Sequence, residues 1–256
     1  MRILISNDDG VYAPGLNSLA KSLSEIDETK VIAPDRNRSA VSSSLSVLNP
    51  LRINYLENDF IAVNGTPTDC VHLALSGLFK TKPFIVVSGI NNGANLGDDV
   101  IYSGTVAAAI EGMLFGIPSI AVSLVNDKKH AKSVNHYDTA AHIVKQMVLN
   151  VFKNPLATDT LLNVNVPNLP LDEIKGIKTT RLGQRHKNIN TEKTSDPRGR
   201  EIFWIGPSGE GDDAGEGTDF DAVDDGYVSV TPLQIDLTRY DAIDSTKEWL
   251  KNVSKG

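Results

Sequence analysis

Short runs of Ile, Val and Leu that end in polar loops, each followed by a stretch of helical periodicity, constrain this 256-residue chain more than any other feature. Arg2 to Ser6 is the first such run, and it empties into Asn-Asp-Asp-Gly. Leu16, Leu19, Ala20, Leu23 and Ile26 then recur at the spacing of one helix face, and Lys30 to Ala33 is a second run, stopped by Pro34. A strand, a helix and a strand this close in sequence predict a right-handed parallel crossover. The alternation continues with short strands within 45–64, a helix over Asp69 to Phe79 and a strand over Phe84 to Ser88. It runs on through a helix over Thr105 to Phe115, a strand over Ile117 to Leu124, a helix over Tyr137 to Phe152 and a closing strand over Leu161 to Val166. The expected fold class is α/β, a mostly parallel sheet with helices on both faces.

Beyond residue 167 the texture turns polar and is interrupted by Gly and Pro, with isolated strands near 176–182, 201–206 and 227–231. Residues 1–166 are therefore expected to form the core that carries the functional site. Residues 167–256 are expected to form a β-rich appendage ending in a helix. Gln184 to Arg200 and the Asp- and Gly-rich Glu210 to Asp225 read most simply as solvated loops. Arg239 to Val253 reads as an amphipathic terminal helix with Tyr240, Ile243, Trp249, Leu250 and Val253 on one side. That patch is larger than a monomer usually exposes, so exchange with a second subunit is expected.

Composition narrows the partners. A formal charge of -7 leaves no broad basic surface, so duplex nucleic acid is not an expected partner. Cys70 is the single cysteine, which excludes an internal disulfide and a thiolate zinc cluster, and its apolar setting marks it as a core residue. No apolar run approaches membrane-spanning length, and the start of the chain has no apolar leader, so a membrane is not an expected partner and the cytoplasm is the expected location.

In an open parallel sheet, ligands sit beyond the carboxyl ends of the strands, so the loops there come first. Asn7-Asp8-Asp9-Gly10 places two adjacent carboxylates at the mouth of the first strand. Their repulsion would hold one protonated unless a cation neutralises them, although Asp-Asp-Gly alone is also good turn chemistry. Pro34-Asp35-Arg36-Asn37-Arg38-Ser39 brings a hydroxyl and two guanidinium groups to the same edge, or serves as a plain polar connection. Ser88 to Asp99 is rich in Gly and Asn and leads to Ser103-Gly104-Thr105 at the start of a helix, an arrangement suited to an anion, with simple N-capping as the bland alternative. Carboxylates, amides and hydroxyls without clustered Cys or His suit hard ions such as Mg²⁺ or Mn²⁺ better than zinc. The five histidines, at 72, 130, 136, 142 and 186, form no metal-spaced pair in these loops. The chain carries no Walker A loop, no Gly-x-Gly-x-x-Gly after the first strand and no Gly-x-Ser-x-Gly.

Several long motifs in order resemble the SurE family of metal-dependent nucleotidases. They are Ile-Ser-Asn-Asp-Asp-Gly-Val near the start, Ala-Pro-Asp-Arg-Asn-Arg-Ser at 33–39, Gly-Thr-Pro-Thr-Asp-Cys-Val at 65–71, the run from Val87 to Ala109, and Gly-Tyr-Val-Ser-Val-Thr-Pro-Leu at 226–233. The resemblance implies a Rossmann-like core and one divalent cation per subunit (Mg²⁺ or Mn²⁺, with Co²⁺ as a further option) held by Asp8, Asp9, Ser39 and Asn91. It also implies 5'-nucleotidase activity on nucleoside monophosphates, some 3'-nucleotide and short polyphosphate hydrolysis, and a homodimer or homotetramer that exchanges C-terminal elements. The expected chemistry is attack by a metal-activated water, with Asp8 or Asp9 the nearest base. Asn37, Asn92, Asn95, Ser103, Gly104 and Thr105 are the expected phosphate and substrate contacts. The rival readings are an aspartyl-phosphate phosphatase with Asp8 as nucleophile and a non-catalytic nucleotide sensor.

Overall fold

The computed structural model describes residues 2–126, 134–157, 159–185, 191–205 and 211–253. Among these, nine strands form one sheet in the order β3-β4-β2-β1-β5-β6-β7-β13-β8. The centre of the sheet is β1 (Arg2–Ser6), β2 (Glu28–Pro34), β5 (Ile85–Asn92), β6 (Ser119–Val125) and β7 (Leu161–Pro167), all parallel to one another. On one flank β4 (Ile61–Val63) joins β2 in parallel and β3 (Ile53–Tyr55) closes antiparallel. On the other, β13 (Val228–Leu233) runs antiparallel to β7 and β8 (Ile177–Thr179) lies parallel to β13. The sheet therefore extends across residue 167 into the C-terminal part of the chain.

Successive side chains of a strand point to opposite faces, which sorts the core into two layers. Ile3, Ile5, Ile85 and Val87 pack under α1 (Pro14–Leu23) and α4 (Tyr137–Lys153) with Leu16, Leu19, Val144 and Val148. Leu4, Ile32 and Val86 pack on the opposite side against Cys70 and Val71 of α2 (Pro67–Leu73) and Ala108 of α3 (Gly104–Leu114). The α/β class with helices on both faces is the observed fold. Thr66 and Asp69 form a reciprocal capping box that starts α2, with Pro67 in its first turn. This places the helix two residues earlier than the apolar spacing predicts, and a π-helical turn over Ala74–Leu78 completes it.

The described parts of the two stretches expected to be solvated loops contain paired strands and a helix. Gln184–Arg185 (β9) pairs with Gly211–Asp213 (β12), and Thr191–Ser195 (β10) forms a hairpin with Glu201–Ile205 (β11). Asp219–Asp224 is a helix, α5, capped by Thr218. The Asp219 side chain is fully buried and its oxygens accept the Gly97 and Gly183 N–H groups at 2.7 and 2.8 Å. Charge patterning missed this because a buried acid satisfied by backbone N–H groups is indistinguishable, in sequence, from a solvated one. The middle of the 184–200 stretch, with His186, lies outside the described residues, as does His130. The terminal helix is α6 (Ile243–Leu250), preceded by a 3₁₀ turn over Tyr240–Ala242, and neither has a buried residue. Trp249 is 67% exposed, so the apolar side of this arm has no cover among the described residues. No helix of the described residues is long and apolar enough to cross a membrane.

Candidate active site

β1 ends at Ser6, and the next four residues turn sharply over the edge of the sheet. Both hydrogen-bonding ends of the Asn7 side chain bond to Gly10, locking the turn. Gly10 adopts φ +100°, and a Cβ there would lie 2.9 Å from the Arg36 carbonyl carbon, so only glycine lets the loop after β2 approach this closely. The two loops are joined by Val11 N–H to the Pro34 carbonyl (2.8 Å) and Arg38 N–H to the Asp8 carbonyl (2.7 Å). Ser39 is delivered to the site by this join.

A cleft of about 260 Å³ opens at this edge, lined by Asp8, Asp9, Ser39, Asn91, Asn92, Asn95 and Ser103, with Asp99 and Tyr102 on its wall. All four expected metal ligands line it. Asp8 is buried and accepts a short hydrogen bond from the Thr105 hydroxyl. Burial, opposed by that hydroxyl and reinforced by the neighbouring Asp9 charge, raises the Asp8 carboxyl to about 6. Asp9 also titrates above its ordinary range because of burial, against the pull of the Asn92 N–H that donates to its Oδ2 at 2.9 Å. Asn91 commits its amide nitrogen to the Gly93 carbonyl (2.9 Å), which turns its oxygen into the available donor for a cation. Two carboxylates, a hydroxyl and an amide oxygen are a hard-oxygen set, which fits Mg²⁺ or Mn²⁺. The described residues contain no cluster of three or more His, Cys, Asp or Glu side chains able to hold a metal.

The expected phosphate contacts separate into two groups. Asn92, Asn95 and Ser103 line the cleft. Ser103 also caps α3, its hydroxyl oxygen accepting Val106 N–H at 3.1 Å, so the capping role coexists with its place in the cleft. Gly104 and Thr105 stand behind Asp8: a Cβ on Gly104 would lie 2.8 Å from the Asp8 Cβ. Asn37 accepts from both the Ser39 N–H and its hydroxyl, at 2.8 and 2.7 Å, and so orients Ser39.

Residues that the loop-by-loop reading did not single out hold this cleft together. The backbone carbonyl of Asn95 accepts from both Asn163 and Asn165 of β7, and its side chain donates to Ser123 of β6. Two asparagines inside the apolar run Leu-Leu-Asn-Val-Asn-Val were the available signal, because buried amides in a strand require specific partners. Asp99 lies with its Oδ2 2.7 Å from Arg185 Nε, and Arg185 N–H donates to Asp98 Oδ1.

The family model described as survival protein SurE matches residues 3–189, a span that contains every loop of this cleft. The chain belongs to the SurE family. A crystal structure of a SurE protein from Aquifex aeolicus is similar to it at 44% sequence identity and a TM-score of 0.85, covering 97% of this chain and 99% of that one. SurE proteins are a family of metal-dependent phosphatases and nucleotidases. Asp219, which ties down Gly97, lies beyond the span of the SurE family match.

Proposed function

We propose that the chain is a divalent-metal-dependent phosphomonoesterase of nucleoside 5'-monophosphates, with 3'-monophosphates and short polyphosphate as secondary substrates. The observation that carries this reading is the convergence of Asp8, Asp9, Ser39 and Asn91 on one cleft beside Ser103 at the N-terminus of α3. Those four residues would hold one Mg²⁺ or Mn²⁺, or Co²⁺, which when bound supplies charge neutralisation and acidifies a water. The side-chain NH₂ of Asn92 and the Ser103 hydroxyl, both lining the cleft, would donate to the phosphoryl oxygens, where negative charge is stabilised by fixed donors. Asp9 keeps one oxygen on the Asn92 N–H and is the acceptor assigned to the water proton. Asp8 is buried and bound by Thr105, which supports a ligand role over that of a nucleophile.

A phosphate-release panel of nucleoside 5'- and 3'-monophosphates and polyphosphate, run with Mg²⁺, Mn²⁺, Co²⁺ or chelator, tests the reading. Turnover that needs the cation and disappears in Asp9→Asn is expected. Full activity in excess chelator after metal-free purification would remove the metal from the mechanism. Trapping of a phosphorylated Asp8 would instead establish the covalent route, and cation-dependent nucleotide binding without turnover would make the protein a sensor. Exchange of C-terminal arms between subunits, in a homodimer or homotetramer, is proposed on the same footing and is supported by the uncovered apolar side of α6.

A further inference from the structure

Asn92 stands at the end of a chain of side-chain amides that leaves the cleft and crosses the carboxyl ends of two strands. Asn126, immediately after β6, donates its Nδ2 to Asn92 Oδ1 at 2.7 Å. Asn168, immediately after β7, donates its Nδ2 to Asn126 Oδ1 at 3.1 Å. The chain ends where the backbone N–H of His136, at the start of α4, donates to Asn168 Oδ1 at 2.8 Å.

A side-chain amide can be turned end for end at little cost, so an isolated asparagine does not specify whether it offers a donor or an acceptor. This chain does specify it. A backbone N–H can only donate, so Asn168 must face His136 with its oxygen and Asn126 with its NH₂ group. Asn126 must then meet Asn168 with its oxygen, which turns its own NH₂ to Asn92. Asn92, with its oxygen occupied, keeps its NH₂ for the cleft that it lines. One N–H at the residue before α4 thus fixes the polarity of a group in the site.

We infer that Asn126 and Asn168 are positioning residues that hold Asn92 with its NH₂ group toward the phosphoryl oxygens. The inference rests on the proposed reading that phosphate occupies this cleft. Neither residue contacts the substrate, and both act through Asn92.

The decisive variants are Asn126→Asp and Asn168→Asp, because each retains the shape of the chain and reverses its polarity. An aspartate at 168 still accepts from His136 but can no longer donate to residue 126. Asn126 then turns to donate to it and presents its oxygen to Asn92, which turns in consequence and offers its own oxygen to the cleft. The same reversal reached from two links away would not follow from a purely structural role. The measurements are the affinity of inorganic phosphate in Mn²⁺ by calorimetry, the KM and kcat of nucleotide hydrolysis, and the Mn²⁺ affinity alone. Each variant is expected to weaken phosphate binding and raise KM by about tenfold, the scale of one charge-assisted hydrogen bond, with Mn²⁺ affinity unchanged. Because aspartate also adds a charge, both are repeated in an Asn92→Ala background. There the polarity effect must vanish, whereas simple repulsion would persist.

Phosphate affinity within twofold of wild type in both variants, or an equal loss in the Asn92→Ala background, would overturn the inference. If Asn126→Asp does not fold, Asn168→Asp carries the same test. Wild-type protein that binds phosphate as described but hydrolyses no nucleotide would sink the substrate reading and leave this inference standing. Wild-type protein that binds no phosphate would sink both.

Discussion

Gly104 and Asp8 face each other so closely that the helix and the acid define one another's position. A methyl group at 104 would lie 2.8 Å from the Asp8 Cβ and 3.0 Å from its Oδ2. Alanine is the better helix former by up to about 1 kcal/mol, so the fold has something to gain from Gly104→Ala while the site has to move. The expected outcome is a melting temperature close to wild type with kcat/KM reduced on the order of 100-fold, the scale of moving the proposed ligand Asp8 by about 1 Å. A variant of full activity would show that Asp8 is not held from this side. Cys70 gives a second residue-level test. Its thiol is fully buried, and burial pushes its pKa well above the ordinary value, so very little thiolate is available to an alkylating reagent. Iodoacetamide labelling at pH 8 is expected to follow the rate of opening of α2; labelling at the rate of a free thiol would contradict the packing. The place of the cleft was legible at this scale, since Asp8, Asp9 and Ser39 lie in loops after strands that their apolar runs announce and Asn91 lies near the end of one. Asn126 and Asn168 were not, because their importance lies in one another and no spacing in the sequence relates them.

Whole elements were legible in proportion to how much of their order comes from apolar burial. The parallel strands and the helices over them follow periodicity, and even their errors are local. β5 continues to Asn92 rather than stopping at Ser88, because pairing with β6 resumes at Asn91 after a shift of register. β9, β12 and α5 differ in kind. Their order comes from polar groups far apart in sequence, such as Arg181, which donates to both Asp213 oxygens at 2.6 and 3.0 Å. Asp219 is the sharpest case. Asp219→Asn replaces one carboxylate oxygen by an NH₂ group, setting donor against donor at Gly97 or at Gly183. Leaving one buried N–H without an acceptor costs about 1–3 kcal/mol. A loss of that size in a urea melt is expected, together with faster hydrogen exchange at the Gly97 or Gly183 amide. Unchanged exchange at both would show that Asp219 does not fasten the loop.

At the scale of the whole molecule, Ile235 is the last residue to pack on a core cluster, and α6 buries no side chain among the described residues. A truncation after Leu233 is expected to keep the proposed cation site while losing the full-length assembly state or aggregating, as light scattering would report. Retention of that state would mean that the arm folds back on its own subunit. The strand just before the truncation point behaves in the opposite way. β13 is inserted between β7 and β8, and the Gly97 amide takes its acceptor from Asp219, 122 residues further along the chain. A ribosome adding about 5–20 residues per second needs roughly 6–24 s to cover that distance. During that interval the emerging polypeptide already carries Asp8 and Asp9 but has not yet received the acid that anchors the cleft wall or the strand that extends the sheet. On this geometry the cleft is completed late in translation, and a message cut short upstream of residue 219 yields a chain with both carboxylates and an unfastened cleft.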